Sequence, residues 1–461
     1  MKNARIASVL LAFFTLLVVK EGIIAADLSA EVDALVKAEM RRQKTPGLSL
    51  AVVRDGKPLL VKVYGFANLE HRVLVKPATI FQSGSIGKQF TAAAVMLLVE
   101  DGKIGLDEKI SKYLGDVPES WRSITIRHLL SHTSGMTDYP PDFDLRRDYS
   151  EDELLRMVKE VPLAFSPGER WEYSNLGYVV LGITIGKVAG QFYGDFLSER
   201  VFKPAGMTTA RVINEADIIP NRAAGYRVVK DEIKNQNWVA PSVNTTADGS
   251  LYVSILDMIR WDSALTRRAL FKPSTYEAMW SPAVLSSGKR TSYGFGWSIK
   301  SVNGKRLMEH GGEWQGFRAF IARFVDDGVT VIVLANSSSA NPQRIAHGVA
   351  QVIDPSLKPR SSSVVEPGIV ADHRQLFESV LSGKVAPGRF APAVQKSLFG
   401  DRLLDHVKTL GPILNFDLIR FEKLAEGNVY SYEIQFGSMT IAIEMVQTAD
   451  RKISRLEIHP E

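Results

Sequence analysis

Phe81-Gln82-Ser83-Gly84-Ser85-Ile86-Gly87-Lys88 runs straight into Phe90, Ala92, Ala93, Ala94, Val95, Met96, Leu97, Leu98 and Val99. The second stretch reads as a buried helix over 86–101, with Gly102 placed to close it as the residue after the C-cap. Ser85 then falls in the first turn. There the helix dipole favours developing negative charge, and free N–H groups face any bound oxyanion. Lys88 is three residues on, and residues at i and i+3 share a helix face. A hydroxyl beside an amine held among apolar neighbours is an activated nucleophile. Taken alone, the pair also reads as an N-cap serine with a surface lysine. The rest of the chain decides between the two.

Working outward, Leu28, Val32, Leu35, Val36 and Met40 recur at helical spacing. Leu48–Val53 and Leu59–Tyr64 flank Arg54-Asp55-Gly56-Lys57, a β-hairpin signature. A mostly helical middle includes Leu176–Val188, rich in glycine. Strands are expected at Tyr293–Ile299, Arg306–Glu309, Phe317–Phe324 and Val329–Ala335, with Asp327-Gly328 turning between the last two. Ile345–Ile353 reads as a closing helix. Strands from both ends of this region must pair into one antiparallel sheet with helices on its faces. Pro355, Pro359, Ser361-Ser362-Ser363 and Pro367 mark a linker. Beyond it, His373–Leu381 and Asp401–Leu410 read as helices. Tyr430 to Phe436, Met439 to Met445 and Ile453 to Ile458 alternate as strands. The expected organisation is a signal peptide at 1–26, a catalytic domain at 27–355, a linker at 356–368 and a small α+β accessory domain at 369–461.

Composition excludes several classes. The 461 residues carry a formal charge of +5, and the first 26 supply +2 of it, leaving too little for a nucleic-acid surface. Lys2 and Arg5 precede the uncharged stretch Ile6–Val19, and Ala25-Ala26 offers small residues for cleavage. That reads as an export signal, with an uncleaved membrane anchor as the alternative, and the expectation is a periplasmic or secreted bacterial protein with no membrane span after cleavage. There is no cysteine, so disulfides, thiolate zinc sites and lipidation at cysteine are excluded. His373, His406 and His459 lack ligand spacing and read as surface residues.

Two further segments carry chemistry. Tyr173-Ser174-Asn175 precedes a helix in a tight turn, so both outer side chains can project one way. Glu309-His310-Gly311-Gly312-Glu313 ends a strand. His132-Thr133-Ser134-Gly135 reads as a structural turn. Ser134 is not read as a nucleophile paired with His132, because no strand-turn-helix elbow surrounds it.

With S-x-x-K at 85–88, Y-x-N at 173–175 and H-x-G at 310–312 in this order, the chain resembles the class C β-lactamase and penicillin-binding-protein-like serine hydrolases. That family includes D,D-carboxypeptidases, D-aminopeptidases and esterases. His132–Gly135, Pro167-Gly168-Glu169, Phe202–Met207, Asp248–Tyr252 and Arg260-Trp261 also look like its landmarks, and the resemblance covers roughly residues 30–355. It implies an α/β (α+β) fold, an antiparallel sheet flanked by helices plus an all-helical lobe. It implies Ser85 as the acylated nucleophile and Lys88 with Tyr173 as a proton relay. Asn175, His310, Gly312 and Glu313 are implied as substrate-binding residues, with the backbone N–H groups of Ser85 and Glu313 as the oxyanion hole. It implies neither metal nor organic cofactor.

The third motif departs from the Lys-Thr-Gly or Lys-Ser-Gly of the β-lactamases. A histidine is mostly neutral at pH 7 and glycine has no hydroxyl, which argues against efficient β-lactam hydrolysis. Glu313 adds a carboxylate that would favour a substrate amine. The expectation is an exported esterase or D-amino-acid peptidase acting on small esters or peptide-like amides, cell-wall-derived ones included. The alternatives are a β-lactamase or D,D-carboxypeptidase proper, a catalytically weak binder of cell-wall peptides, or a main role for residues 369–461. Tyr252, Trp261, Tyr293 and Trp314 are cleft candidates, and core packing explains the first three equally well.

Overall fold

A computed structural model describes residues 28–140, 142–359, 366, 368–383, 388–392, 394, 412–424, 427–436 and 439–460. The expected signal peptide and the expected helix Asp401–Leu410 lie outside them. The chain divides into two compact units, one ending at Leu357 and the other starting at Lys358.

The first unit is organised by a seven-stranded antiparallel sheet. Its strands are β1 (Gly47–Arg54), β2 (Lys57–Asn68), β3 (Val73–Leu74), β4 (Ser298–Val302), β5 (Lys305–Trp314), β6 (Phe317–Phe324) and β7 (Val329–Ala335), in the order β3-β2-β1-β7-β6-β5-β4. The chain's early and late strands meet where β1 pairs β7, Leu48 opposite Ala335 and Arg54 opposite Val329. Alternation along β1 serves two cores. Leu48, Leu50 and Val52 join helix α1 (28–43) and Ile345, Ala346 and Val349 of the late helix Pro342–Ile353 on one face. Ala51 and Val53 face the larger core on the other. A sheet covered on both sides reads as continuous hydrophobic strands, and β7 is buried throughout.

The larger core is built around α2 (Lys88–Glu100), which is buried on nearly every side. A helix apolar all round is stable only inside a protein. α3 (Asn175–Ala189) packs beside it, N-capped by Ser174, whose Oγ accepts the Gly177 N–H at 3.0 Å. Short helices at Ile126–Leu130, Glu151–Glu160 and Tyr193–Leu197 complete the helical lobe. α4 (Ile255–Thr266) is tied to the sheet by a buried pair. Asp262 accepts from Arg323 of β6 at 2.7 Å and from Thr330 of β7 at 2.8 Å.

The second unit packs helix α5 (Ile369–Leu381) with a four-stranded antiparallel sheet. The strands run in sequence order: β8 (Ile413–Leu424), β9 (Gly427–Phe436), β10 (Met439–Gln447) and β11 (Ile453–Pro460). β8 is absent from the sequence expectation. Its pairing with β9 shifts register at two places, between Ile413 and Asn415 and between Leu418 and Arg420, which breaks the alternation a strand reading needs. Two expectations are corrected: the strand expected at Tyr293–Ile299 begins only at Ser298, and one histidine proves to be buried. His373 is not a surface residue: it is fully buried, and its Nδ1 lies 2.6 Å from the Tyr432 hydroxyl. His406 lies outside the described residues. Among the described residues no helix is long and apolar enough to cross a membrane.

Candidate active site

The segment Gly84–Gly87 is a 3-10 turn that feeds α2, so Ser85 sits at the entry and Lys88 opens the helix proper. Lys88 is completely buried, yet its ammonium position is fully partnered. Nζ lies 3.0 Å from Ser85 Oγ, 2.6 Å from Asn175 Oδ1 and 2.5 Å from the Asp248 carbonyl oxygen. A buried lysine needs such partners.

The chemistry of those three contacts differs. The two carbonyl-type oxygens can only accept, so each takes an N–H from Lys88. The third position faces a hydroxyl, which can donate or accept. The Ser85–Lys88 hydrogen bond is therefore the one that can reverse, and reversal is proton transfer. The orientation of the Asn175 amide is fixed from its far side. Its Nδ2 donates to both carboxylate oxygens of Asp138, at 3.0 and 3.1 Å, which leaves Oδ1 for Lys88.

Tyr173 comes to the same amine from α3's leading turn. Its ring centroid is 4.9 Å from Lys88 Nζ. Among the described residues its hydroxyl has no hydrogen-bond partner. The preceding loop is fixed by Glu169, whose Oε2 accepts the Ser166 N–H at 3.0 Å.

β5 closes the other side. A Cβ on Gly312 would lie 2.0 Å from the Ser83 carbonyl oxygen, and one on Gly84 would lie 2.4 Å from the Glu313 nitrogen. The strand is thus pressed against the turn that carries Ser85. The strand reading stopped at Glu309, but β5 continues through His310-Gly311-Gly312-Glu313 to Trp314. His310 points inward. Its Nδ1–H donates to the Gly311 carbonyl at 2.6 Å, so Nε2 accepts from the Tyr293 hydroxyl at 2.8 Å. Burial pushes its pKa down to about 4, so the ring is neutral at pH 7. Glu313 lines the cleft, and its carboxylate is held by Arg318 at 2.9 Å.

The cleft has a cavity of about 330 Å³. Ser85 and Asn175 line it with Gly84, Gly249 and Ser250, and Asp138, Asp248 and Glu313 bring carboxylates to it. Tyr139, Pro140, Phe143, Leu145 and Trp314 form an apolar wall. No lysine or arginine is among the described lining residues. Asp248 is buried, and its Oδ1 has no hydrogen-bond partner. Sequence reasoning missed Asp138, since a lone aspartate in a loop carries no pattern. It marked Asp248 only as a landmark. Of the other cleft candidates, Trp314 lines the cavity, Tyr293 holds His310, Trp261 is fully buried against Phe90 and Tyr252 is buried in a separate small cluster. Ser134 Oγ accepts the Met136 N–H at 3.2 Å, and among the described residues no hydrogen bond joins it to His132. Among the described residues no cluster of His, Asp or Glu could hold a metal ion.

A sheet flanked by helices, with a serine and a buried lysine at one helix entry, defines a β-lactamase-type serine hydrolase. The family model described as Beta-lactamase matches residues 32–352, and the chain belongs to that family. Penicillin-binding protein 4* of Bacillus subtilis (strain 168) is 33% identical over 291 residues, 59% of this chain and 64% of that protein. A D-aminopeptidase of Brucella canis is 30% identical over 314 residues, 66% of this chain and 59% of that protein. The chain thus spans less than two thirds of either relative's length. Two solved structures share the fold. The octameric penicillin-binding protein homologue from Pyrococcus abyssi superposes with a TM-score of 0.65 at 22% identity, over 94% of this chain and 98% of that one. The D-amino acid amidase from Ochrobactrum anthropi SV3 gives 0.62 at 24% identity, over 72% and 98%.

Proposed function

We propose that the protein is an exported serine hydrolase that cleaves small peptide-like amides and esters bearing a free amine, D-amino-acid amides foremost, through a Ser85 acyl-enzyme. The observation that carries this reading is the reversible 3.0 Å contact between Ser85 Oγ and a buried Lys88 whose other two hydrogens are taken. Ser85 Oγ attacks the substrate carbonyl as its proton passes to Lys88 Nζ. The oxyanion forms at the Ser85 and Glu313 N–H groups. Collapse breaks the C–N bond, and the amine leaves with a proton delivered by Tyr173, which Lys88 reprotonates. Water then hydrolyses the ester, releasing the acid and restoring Ser85. An oxyanion donor of this kind contributes on the order of 100–1,000-fold in turnover.

The substrate class follows from charge. A penicillin or a D,D-peptide presents a carboxylate, and the cleft meets it with the carboxylates of Asp138, Asp248 and Glu313 and with no lysine or arginine among its described lining residues. An ammonium group fits those carboxylates, and the name of the Brucella relative agrees with it. The apolar wall suits an apolar side chain. Residues 1–26 supply the export signal in this reading.

Intact-mass spectrometry after treatment with a fluorophosphonate tests the nucleophile. A single adduct is expected on the wild type and none on Ser85→Ala. No adduct on either would leave the weak cell-wall-peptide binder as the better reading. Turnover of penicillin faster than of D-phenylalanine amide would sink the substrate assignment.

A further inference from the structure

Behind Tyr173 lies a histidine that the acylation chemistry leaves unused. His132 is fully buried, and its φ of 57° is in the left-handed region that non-glycine residues seldom adopt. Its carbonyl accepts the Glu172 N–H at 3.0 Å, and its Nδ1 accepts the Ser174 N–H at 3.1 Å. Those two amides flank Tyr173, so one residue pins the backbone on both sides of it. The imidazole also lies on the Tyr173 ring, with centroids 4.2 Å and planes 35° apart. Tyr293 and Tyr178 pack around it at 4.7 and 5.1 Å.

Burial first, and the Lys88 charge next, hold the His132 pKa well below the usual histidine value, so the ring is neutral. With Nδ1 accepting, its proton is on Nε2, and that atom is buried with no hydrogen-bond partner. A left-handed backbone and an orphaned donor both cost stability. Outliers of this sort gather where a function needs fixed geometry. An apolar ring would fill the space without the orphaned nitrogen, but it could not receive the Ser174 N–H.

We propose that His132 is a positioning residue for Tyr173. It sets the height and tilt of the phenol over Lys88 and so aims the Tyr173 hydroxyl at the departing amine. The inference rests on the reading of Tyr173 as the proton donor to the leaving group. That dependence supplies the test, because a good leaving group needs no proton.

Acylation rates of the full chain are to be measured with the p-nitroanilide and the p-nitrophenyl ester of D-phenylalanine, alongside fluorophosphonate labelling. The proteins are wild type, His132→Gln, Tyr173→Phe and the double variant. A displacement of about 1 Å at a reacting group costs about 100-fold. His132→Gln is expected to slow the anilide by about that factor while the ester and the labelling stay within about threefold. The double variant is expected to be no slower than Tyr173→Phe alone, since the two act as one unit. A parallel fall in anilide, ester and labelling, or losses that multiply in the double variant, would overturn the proposal. If Tyr173→Phe alone spares the anilide, the reading of Tyr173 fails and the proposal falls with it. That arm is read without touching His132, so the two failures are distinct. Should His132→Gln not fold, His132→Phe keeps the stacked ring, removes the Nδ1 acceptor and is expected to give the same selective loss.

Discussion

Asp138 shows how a single residue outside every motif can govern a site. Its carboxylate turns the Asn175 amide so that Oδ1 faces Lys88, and it adds negative charge to the cleft. The two roles separate by experiment. Asp138→Leu is expected to lower kcat/KM for an amide with a free amine by about tenfold more than for its N-acetyl analogue, since a charge-assisted hydrogen bond typically contributes on that scale. Equal losses on both substrates would assign Asp138 to holding Asn175 alone. Ser85, Lys88, Tyr173 and Asn175 were legible because their spacing on or before helices announces them. Asp138 was not, because a loop brings it to the site from a segment with no periodicity.

At the scale of elements, the position of β5 matters most. Its Gly311-Gly312 pair reads locally as the end of a strand. Pairing with β6 overrides that, His310 opposite Ile321 and Gly312 opposite Ala319. Gly312 then serves the close approach of one backbone to another. Gly312→Ala would put a Cβ 2.0 Å from the Ser83 carbonyl, against backbone that cannot yield cheaply. The expected result is a destabilisation of about 1–3 kcal/mol by urea unfolding, with slower fluorophosphonate labelling of Ser85. Gly311→Ala, whose nearest neighbour is the Phe320 ring at 3.5 Å, serves as the tolerated control. Equal stability of the two variants would show that the strand does not press on the turn.

Across the whole molecule, buried histidines tie stability to pH. Burial lowers the pKa of His310 in the first unit and of His373 in the second to about 4. The unfolded chain, with histidine near 6.5, binds more protons between those values. Each histidine's contribution is complete above about pH 6.5 and is lost as pH falls through about 4, with a slope approaching roughly 1.4 kcal/mol per pH unit per residue. Urea midpoints are therefore expected to fall between pH 7 and pH 4. His373→Gln should flatten that dependence for the second unit and leave Ser85 labelling unchanged. A flat profile in the wild type would show that these rings do not remain neutral when folded.

The apolar runs of β1, β6 and β7, the apolar run of α2 and the spacing of Ser85 with Lys88 were fixed by local chain chemistry. A strand's period and a helix's face are properties of neighbouring residues. The pairing of β1 with β7, the extension of β5 through two glycines, the irregular strand β8 and the burial of His373 depended on contacts between distant segments. So did the cleft. Asp138, Asp248 and His132 acquire their partners only when loops and strands far apart in the chain converge, and no residue's immediate neighbours encode that convergence.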